Sequence, residues 1–186
     1  QSYTNIEVIL VDDGSTDGTP MMCDKYQRKD DRIIVIHQSN QGLSEARNSG
    51  MKYAHGLYWT FVDSDDFVRG DYIEHLYKLI KGSEADIAVS SYAFFSDTNV
   101  VKVSEPQSFK TWVYSPYKAV EKMFYQELFD TTAWGKLYKA SFFCDIKYPK
   151  NLLFEDLPTT YKLLLKANKI AVSTYPSYYY YLRDNS

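Results

Sequence analysis

IEVILVDDGSTDGTP (residues 6–20) carries an almost unbroken apolar run that stops at two acids and a turn. Such a run reads as a parallel strand buried on both faces, feeding directly into a helix. Gly14 permits the bend, Ser15, Thr16, Asp17 or Thr19 can cap, and Pro20 suits a first helical turn. The helix is expected over 20–29. The pattern then repeats: RIIVIHQ (32–38) as strand, LSEARNSGMKYAH (43–55) as helix closed by Gly56, LYWTFVD (57–63) as strand, DYIEHLYKLIKG (71–82) as helix and DIAVSSYAF (86–94) as strand. This alternation predicts an α/β fold with a mainly parallel central sheet flanked by helices.

Beyond residue 95 the rhythm changes. Residues 96–115 read as a hairpin or excursion loop, 116–129 as a helix, and TTAWGKLYKASFF (131–143) as a separate segment. A last helix is expected over 155–167, with one or two strands in KIAVSTYPSYYYYLRDNS (169–186), where the tyrosines should alternate between core and surface. With no repeat or linker, two lobes of one domain over 1–186 fit best. The second lobe is the smaller.

Composition excludes several classes. The 186 residues are 45% hydrophobic and 24% charged, with net charge −3 and no Lys/Arg block, which argues against duplex nucleic-acid binding. Cys23 and Cys144 form no CxxC pattern, so a reduced, cytosolic setting is expected. No apolar run approaches the ~18 residues of a membrane helix, and a peripheral membrane role stays open. Aromatic residues reach 17%, with 18 tyrosines, which suits both a core and a carbohydrate-facing cleft.

The chemistry lies at the strand ends. In open parallel sheets ligands bind outside the carboxyl ends of strands, where Asp12 and Asp13 end one apolar run and FVDSDD (61–66) ends another. Crowded carboxylates repel unless something positive joins them. Oxygen-rich sites suit magnesium or manganese, and magnesium takes few carboxylates and completes its shell with substrate phosphates. On extended backbone Asp63 and Asp65 would point together and Asp66 away. Simple helix capping is the ordinary reading of an isolated acid; two clusters at successive strand ends weigh against it.

Five motifs occur in one order: DDGSTDGT (12–19), NQGLSEARNSG (40–50), YWTFVDSDD (58–66), AWGKLYK (133–139) and FED (154–156). Together, over nearly the whole chain, they resemble the family 2 nucleotide-sugar glycosyltransferases of GT-A fold. The resemblance implies a Rossmann-like half over 1–95 that binds the nucleotide-sugar and a half over 96–186 that binds acceptor and carries the base. It further implies an initial strand–helix unit of about 30 residues that this numbering lacks, an expectation from the family pattern.

By that resemblance Asp13, with Asp12 beside it, contacts the base. Asp63 lies near the ribose, and Asp65 binds the divalent cation, Mn2+ or Mg2+, that bridges the donor diphosphate. Arg47 lies near the nucleotide, or alternatively pairs with an acid. Asp156 is the catalytic base, with helix capping the alternative, since Glu155 and Asp156 begin a helix. Trp134 stacks on a sugar or packs in the core, Lys136 meets acceptor or phosphate, and Arg183 helps cover the diphosphate. Gly42 and Gly50 are turn and packing residues, Lys139 is a surface charge, and His37, His55 and His75 are surface or helix residues.

The implied reaction is inverting, metal-dependent transfer of a sugar from a nucleotide-diphosphate donor, UDP by family habit, to a hydroxyl acceptor. Bacterial polysaccharide or glycoconjugate synthesis is the implied setting, with glycan or lipid-linked acceptors and a cytoplasmic location at the inner face of the membrane. The alternatives are an aspartyl-nucleophile phosphatase using Asp63 and Asp65, a receiver-like phosphoacceptor module, and an inactive sugar-binding module.

Overall fold

The computed structural model of the protein describes residues 1–96 and 108–183. Most of the expected 96–115 excursion lies outside these residues.

Strand β1 (Val8–Asp13) pairs in parallel with β2 (Ile33–Gln38), in register from Val8↔Ile33 to Asp13↔Gln38. Helix α1 (Thr19–Gln27) connects them, and helix α2 (Leu43–Tyr53) follows β2. Gly14 turns the chain out of β1 at φ +77°, where an added Cβ would come within 2.6 Å of the Asn40 nitrogen. A side chain there would be both strained and blocked. A Cβ on Gly50 would meet Val11 at 3.3 Å, so this glycine sets how closely α2 lies on β1. The apolar residues of β1 are only half-buried, not enclosed on both faces as expected, because among the described residues β2 is the strand that pairs with it.

The remaining strands form a mixed six-stranded sheet, in the order β3-β7-β5-β8-β4 with β6 also on β8. They are β3 (Tyr58–Trp59), β4 (Phe67–Val68), β5 (Ile87–Phe95), β6 (Thr111–Tyr114), β7 (Lys136–Lys139) and β8 (Ile170–Tyr181). The mainly parallel expectation holds for the long pairings, β1 with β2 and β5 with β8. The short strands β3, β4, β6 and β7 all join antiparallel. The predicted strand 57–63 shrinks to two paired residues. Its later backbone turns instead to a side chain, the Asp63 N–H donating to the Tyr178 hydroxyl at 3.1 Å.

Period-two alternation on β5 separates two cores. Ile87 and Val89 face a cluster with Met123, Leu163 and Leu164 from helices α4 (Pro116–Phe124) and α5 (Leu157–Lys166). Ala88 faces the other, where helix α3 (Tyr72–Ser83) inserts Tyr72, Leu76 and Ile80 at four-residue spacing. With both faces covered, each fully buried Leu or Ile contributes about 1.5–3 kcal/mol. β8 runs through the middle, so Tyr178 and Tyr179 are both buried and the expected core–surface alternation fails there. Pro176, which cannot donate to a ladder, sits where the β5–β8 register jumps from Ser90↔Ser173 to Tyr92↔Tyr178. Beyond that irregularity Phe94 registers with Tyr180. No helix among the described residues is long and apolar enough to cross a membrane.

Candidate functional site

The acids ending β1 are already engaged. Asp12 is buried and accepts from the Ser15 N–H at 3.0 Å, with His37 Nδ1 2.8 Å from its other oxygen. The His37 contact leads in holding the Asp12 carboxyl below its ordinary range. His37 also reaches Asp24 through Nε2 at 3.1 Å, and the two carboxylates, Asp12 first, raise its pKa. Asp13 accepts from Gln38 Nε2 at 2.6 Å and from the N–H groups of Gln41 and Gly42 at 3.0 and 2.7 Å. It thereby ties the end of β1 to the start of α2.

FVDSDD is a turn, not extended chain, with the Asp66 N–H donating to the Asp63 carbonyl at 3.1 Å. This corrects the expectation that Asp63 and Asp65 point together. Repulsion is relieved by sending each acid to its own partner. Asp63 takes Arg47 Nη2 at 2.8 Å and Asp65 takes Arg183 Nη2 at 2.7 Å. Asp66 accepts from the Tyr178 hydroxyl at 2.6 Å and the Tyr181 N–H at 2.8 Å, which anchors the turn to β8.

Arg47 adopts the acid-pairing alternative. Its guanidinium, from α2, bridges Asp63 and Glu155 and lies 5.2 Å from the centre of the Tyr148 ring. Next to it Asn48 exchanges two hydrogen bonds with the Tyr148 backbone, at 2.8 and 3.0 Å. Arg47 and Asn48 thus fix the 148–155 segment against α2. That segment leads to Asp156, the N-cap of α5, which accepts from the Leu157 N–H at 2.8 Å. Burial first, then the charge of Glu155, pushes the Asp156 pKa up. Capping and a cleft-facing acid coexist in one residue.

A cleft of about 350 Å3 brings Arg47, Asp63, Trp134, Glu155 and Asp156 together with Leu43, Tyr92, Phe94, Asp130, Thr132, Phe154 and Tyr180. Asp12, Asp13, Asp65, Lys136 and Arg183 are not in its lining. Trp134 is a core residue, 5% exposed and stacked on Tyr178 at 4.4 Å, and it shows only a margin to the cleft. Lys136, expected at acceptor or phosphate, is buried and outside the cleft lining. Its buried Nζ donates to the Thr132 carbonyl and hydroxyl at 2.7 and 3.0 Å, fixing the cleft wall from behind. Lys139 is the expected surface charge, beside Asp86. The sequence reading missed Tyr92, Phe94, Asp130, Thr132 and Tyr180. The signal of Tyr92, Phe94 and Tyr180, aromatics two apart on β5 and β8, acquires meaning only through the register between these strands.

Burial lowers the Lys136 pKa to about 8, against the opposing charges of Asp130 and Asp156. Unfolded lysine holds its proton to about pH 10.4. Between those values the unfolded state binds more protons, so this group adds stability as pH rises. From about pH 7.5 to 10 the wild-type protein should gain roughly 2–3 kcal/mol relative to Lys136→Met in urea unfolding. Parallel curves would refute the buried-cation assignment.

Cys23 and Cys144 are free thiols. Among the described residues no three His, Cys, Asp or Glu side chains form a metal cage. The exposed Asp65 carboxylate therefore fits a hard cation only as one that substrate phosphates also hold.

The α/β sheet thus sets acids at its strand ends beside an acid-lined, aromatic-walled cleft. Sequence comparison is more specific. The model of glycosyl transferase family 2 matches residues 1–146. The Streptococcus pneumoniae glycosyltransferase GlyA is 37% identical over 192 residues, covering 100% of this chain and 28% of its own length. GlyG of the same organism is 33% identical over 200 residues, covering 100% of this chain and 64% of its own. Staphylococcus aureus TarS, solved with UDP-GlcNAc, superposes with a TM-score of 0.79 at 26% identity, covering 100% of this chain and 53% of TarS 1–349. The chain belongs to glycosyl transferase family 2 and has the GT-A fold. It spans between about a quarter and two thirds of the length of these relatives. Membership displaces the phosphatase alternative, whose nucleophile Asp63 is here tied up by Arg47.

Proposed function

We propose that the protein transfers a sugar with inversion from a UDP-sugar to an acceptor hydroxyl. The observation that carries this is Asp156, an acid of raised pKa that shares one cleft with Asp63 of the FVDSDD turn. Family membership and the UDP-GlcNAc complex of TarS support the donor class. In this reading Asp12 and Asp13 frame the base through the loops they tie together, and Asp63 and Arg47 border the ribose side. Asp156 takes the acceptor proton as the hydroxyl attacks the face opposite the leaving group. Holding both reactants aligned supplies much of the acceleration. A divalent cation, when bound, neutralises charge on the departing diphosphate. Asp65 would hold it, and Arg183, now paired with Asp65, would turn to the diphosphate. The halves 1–95 and 96–186 divide the work between donor and acceptor. A cytoplasmic setting and polysaccharide or lipid-linked acceptors complete the proposal.

Thermal unfolding with UDP, GDP or dTDP, each with and without Mn2+, tests the donor. Ligand at about 100 times its Kd adds roughly 2.7 kcal/mol, or about 5–11 °C for a chain of this size. UDP with Mn2+ should produce that shift and Asp65→Asn should remove the metal-dependent part. No shift with any nucleotide in folded protein would reject the proposal.

A further inference from the structure

The cleft has a second wall that proton transfer to Asp156 does not use. Tyr92 and Phe94 sit two apart on β5 and share a face, and Tyr180 of β8 is registered beside Phe94. Their rings touch edge to face, Tyr92–Phe94 at 5.4 Å and Phe94–Tyr180 at 6.0 Å. Trp134 backs Tyr92 at 4.9 Å and Tyr180 at 5.4 Å, so the wall is rigid. Phe94 nevertheless stays 52% exposed toward the cleft. At the edge of this wall Asp130 is aimed by two donors, the Tyr92 hydroxyl at 3.2 Å and the Thr132 N–H at 3.0 Å. An ionised carboxylate has about four lone-pair sites, so Asp130 keeps capacity for a further hydroxyl.

Charge then narrows the ligand. Asp63, Asp130, Glu155 and Asp156 line the cleft, and among its described lining residues the one cation is Arg47, whose guanidinium Asp63 and Glu155 already share. A phosphate or carboxylate placed between Asp130 and Asp156 would meet like charge on both sides. A neutral sugar offers apolar C–H faces to the rings and hydroxyls to the acids.

We propose that Tyr92, Phe94 and Tyr180 with Asp130 form the acceptor subsite, and that it takes an uncharged pyranose. The subsite rests on the donor reading above and places part of the acceptor's contacts on the first half of the chain. Asp130 is a specificity-determining residue that grips a hydroxyl away from the reacting one.

Saturation-transfer NMR on the protein with UDP and Mg2+ tests it. The probes are the methyl β-pyranosides of glucose, galactose and N-acetylglucosamine, each beside its 6-phosphate. At least one neutral glycoside should bind, with its 6-phosphate tenfold weaker or worse. Losing a charge-assisted hydrogen bond in Asp130→Asn should weaken the neutral sugar about tenfold. Losing the exposed ring in Phe94→Ala should weaken it about three- to tenfold. Both variants should bind UDP as wild type does, which also shows that they fold. Equal binding of a 6-phosphate, or no neutral glycoside bound while UDP binds, would overturn the subsite. Variants that lose UDP and keep the sugar would assign the wall to the donor. Wild-type protein that fails to bind UDP would overturn the donor reading and this subsite with it.

Discussion

Asp156→Asn should lower kcat by about 10^2–10^4-fold, the usual contribution of a positioned general base, while leaving UDP affinity unchanged. The substitution is chosen because Asp156 has two tasks that asparagine separates. As N-cap of α5 it accepts from the Leu157 N–H, and Asn caps about as well as Asp. As a base it needs a carboxylate, which Asn lacks. Stability should follow from the shifted titration. Burial and Glu155 raise the folded pKa of Asp156 above its unfolded value. Its contribution is therefore full below the unfolded pKa and lost as pH rises through the folded one. At neutral pH the charged carboxylate is a local cost, so the variant should melt at an equal or higher temperature. The acidic limb of wild-type kcat should fall at a pH above the ordinary aspartate value of about 3.9. A variant keeping a tenth or more of wild-type kcat would reduce Asp156 to a helix cap.

This duality was half legible in the sequence. FED before an amphipathic helix pointed to both a cap and a base, and the structure shows the Asp156 side chain capping α5 and lining the cleft. The alternating strands and helices of the first half were legible too, because α2, α3 and β5 carry periodicities that local chain geometry enforces. What could not be read was long-range pairing. Nothing within YWTFVDSDD says that the strand stops at Trp59, since its continuation bonds to the hydroxyl of Tyr178, 115 positions away in the chain. The placement of Lys136 was not legible for a similar reason. Motif spacing places it near the cleft, but its ammonium points back into the Thr132 loop, where burial and backbone acceptors hold it. The aromatic wall depends on a register jump at Pro176, and no local pattern fixes which tyrosine then faces the cleft.

The largest stability effect should come from Arg47→Met. The Arg47 side chain is 8% exposed, and the acids it bridges, Glu155 and Asp63, are 12% and 26% exposed. Water reaches this group poorly, so surface ion-pair values do not apply. The whole triad gains little over an apolar replacement, but removing one member leaves buried charge uncompensated, at a cost of about 3–5 kcal/mol. Two acids would then repel across the gap between the FVDSDD turn and the segment before α5. Tm should fall by about 6–20 °C. Arg47→Lys should fall in between, because one ammonium cannot fork to both carboxylates as a guanidinium does. Adding Glu155→Gln to the Met variant should recover part of the loss at neutral pH. The same triad couples the two halves of the cleft, since Arg47 is held by the acid beside Asp156 and by the first acid of the FVDSDD turn. In the folded fraction of Arg47→Met, kcat should therefore fall more than donor affinity, as the base loses its alignment with the acceptor. A variant with wild-type Tm would show that solvent, not Arg47, neutralises these acids. One that is destabilised yet keeps full kcat would confine Arg47 to the fold.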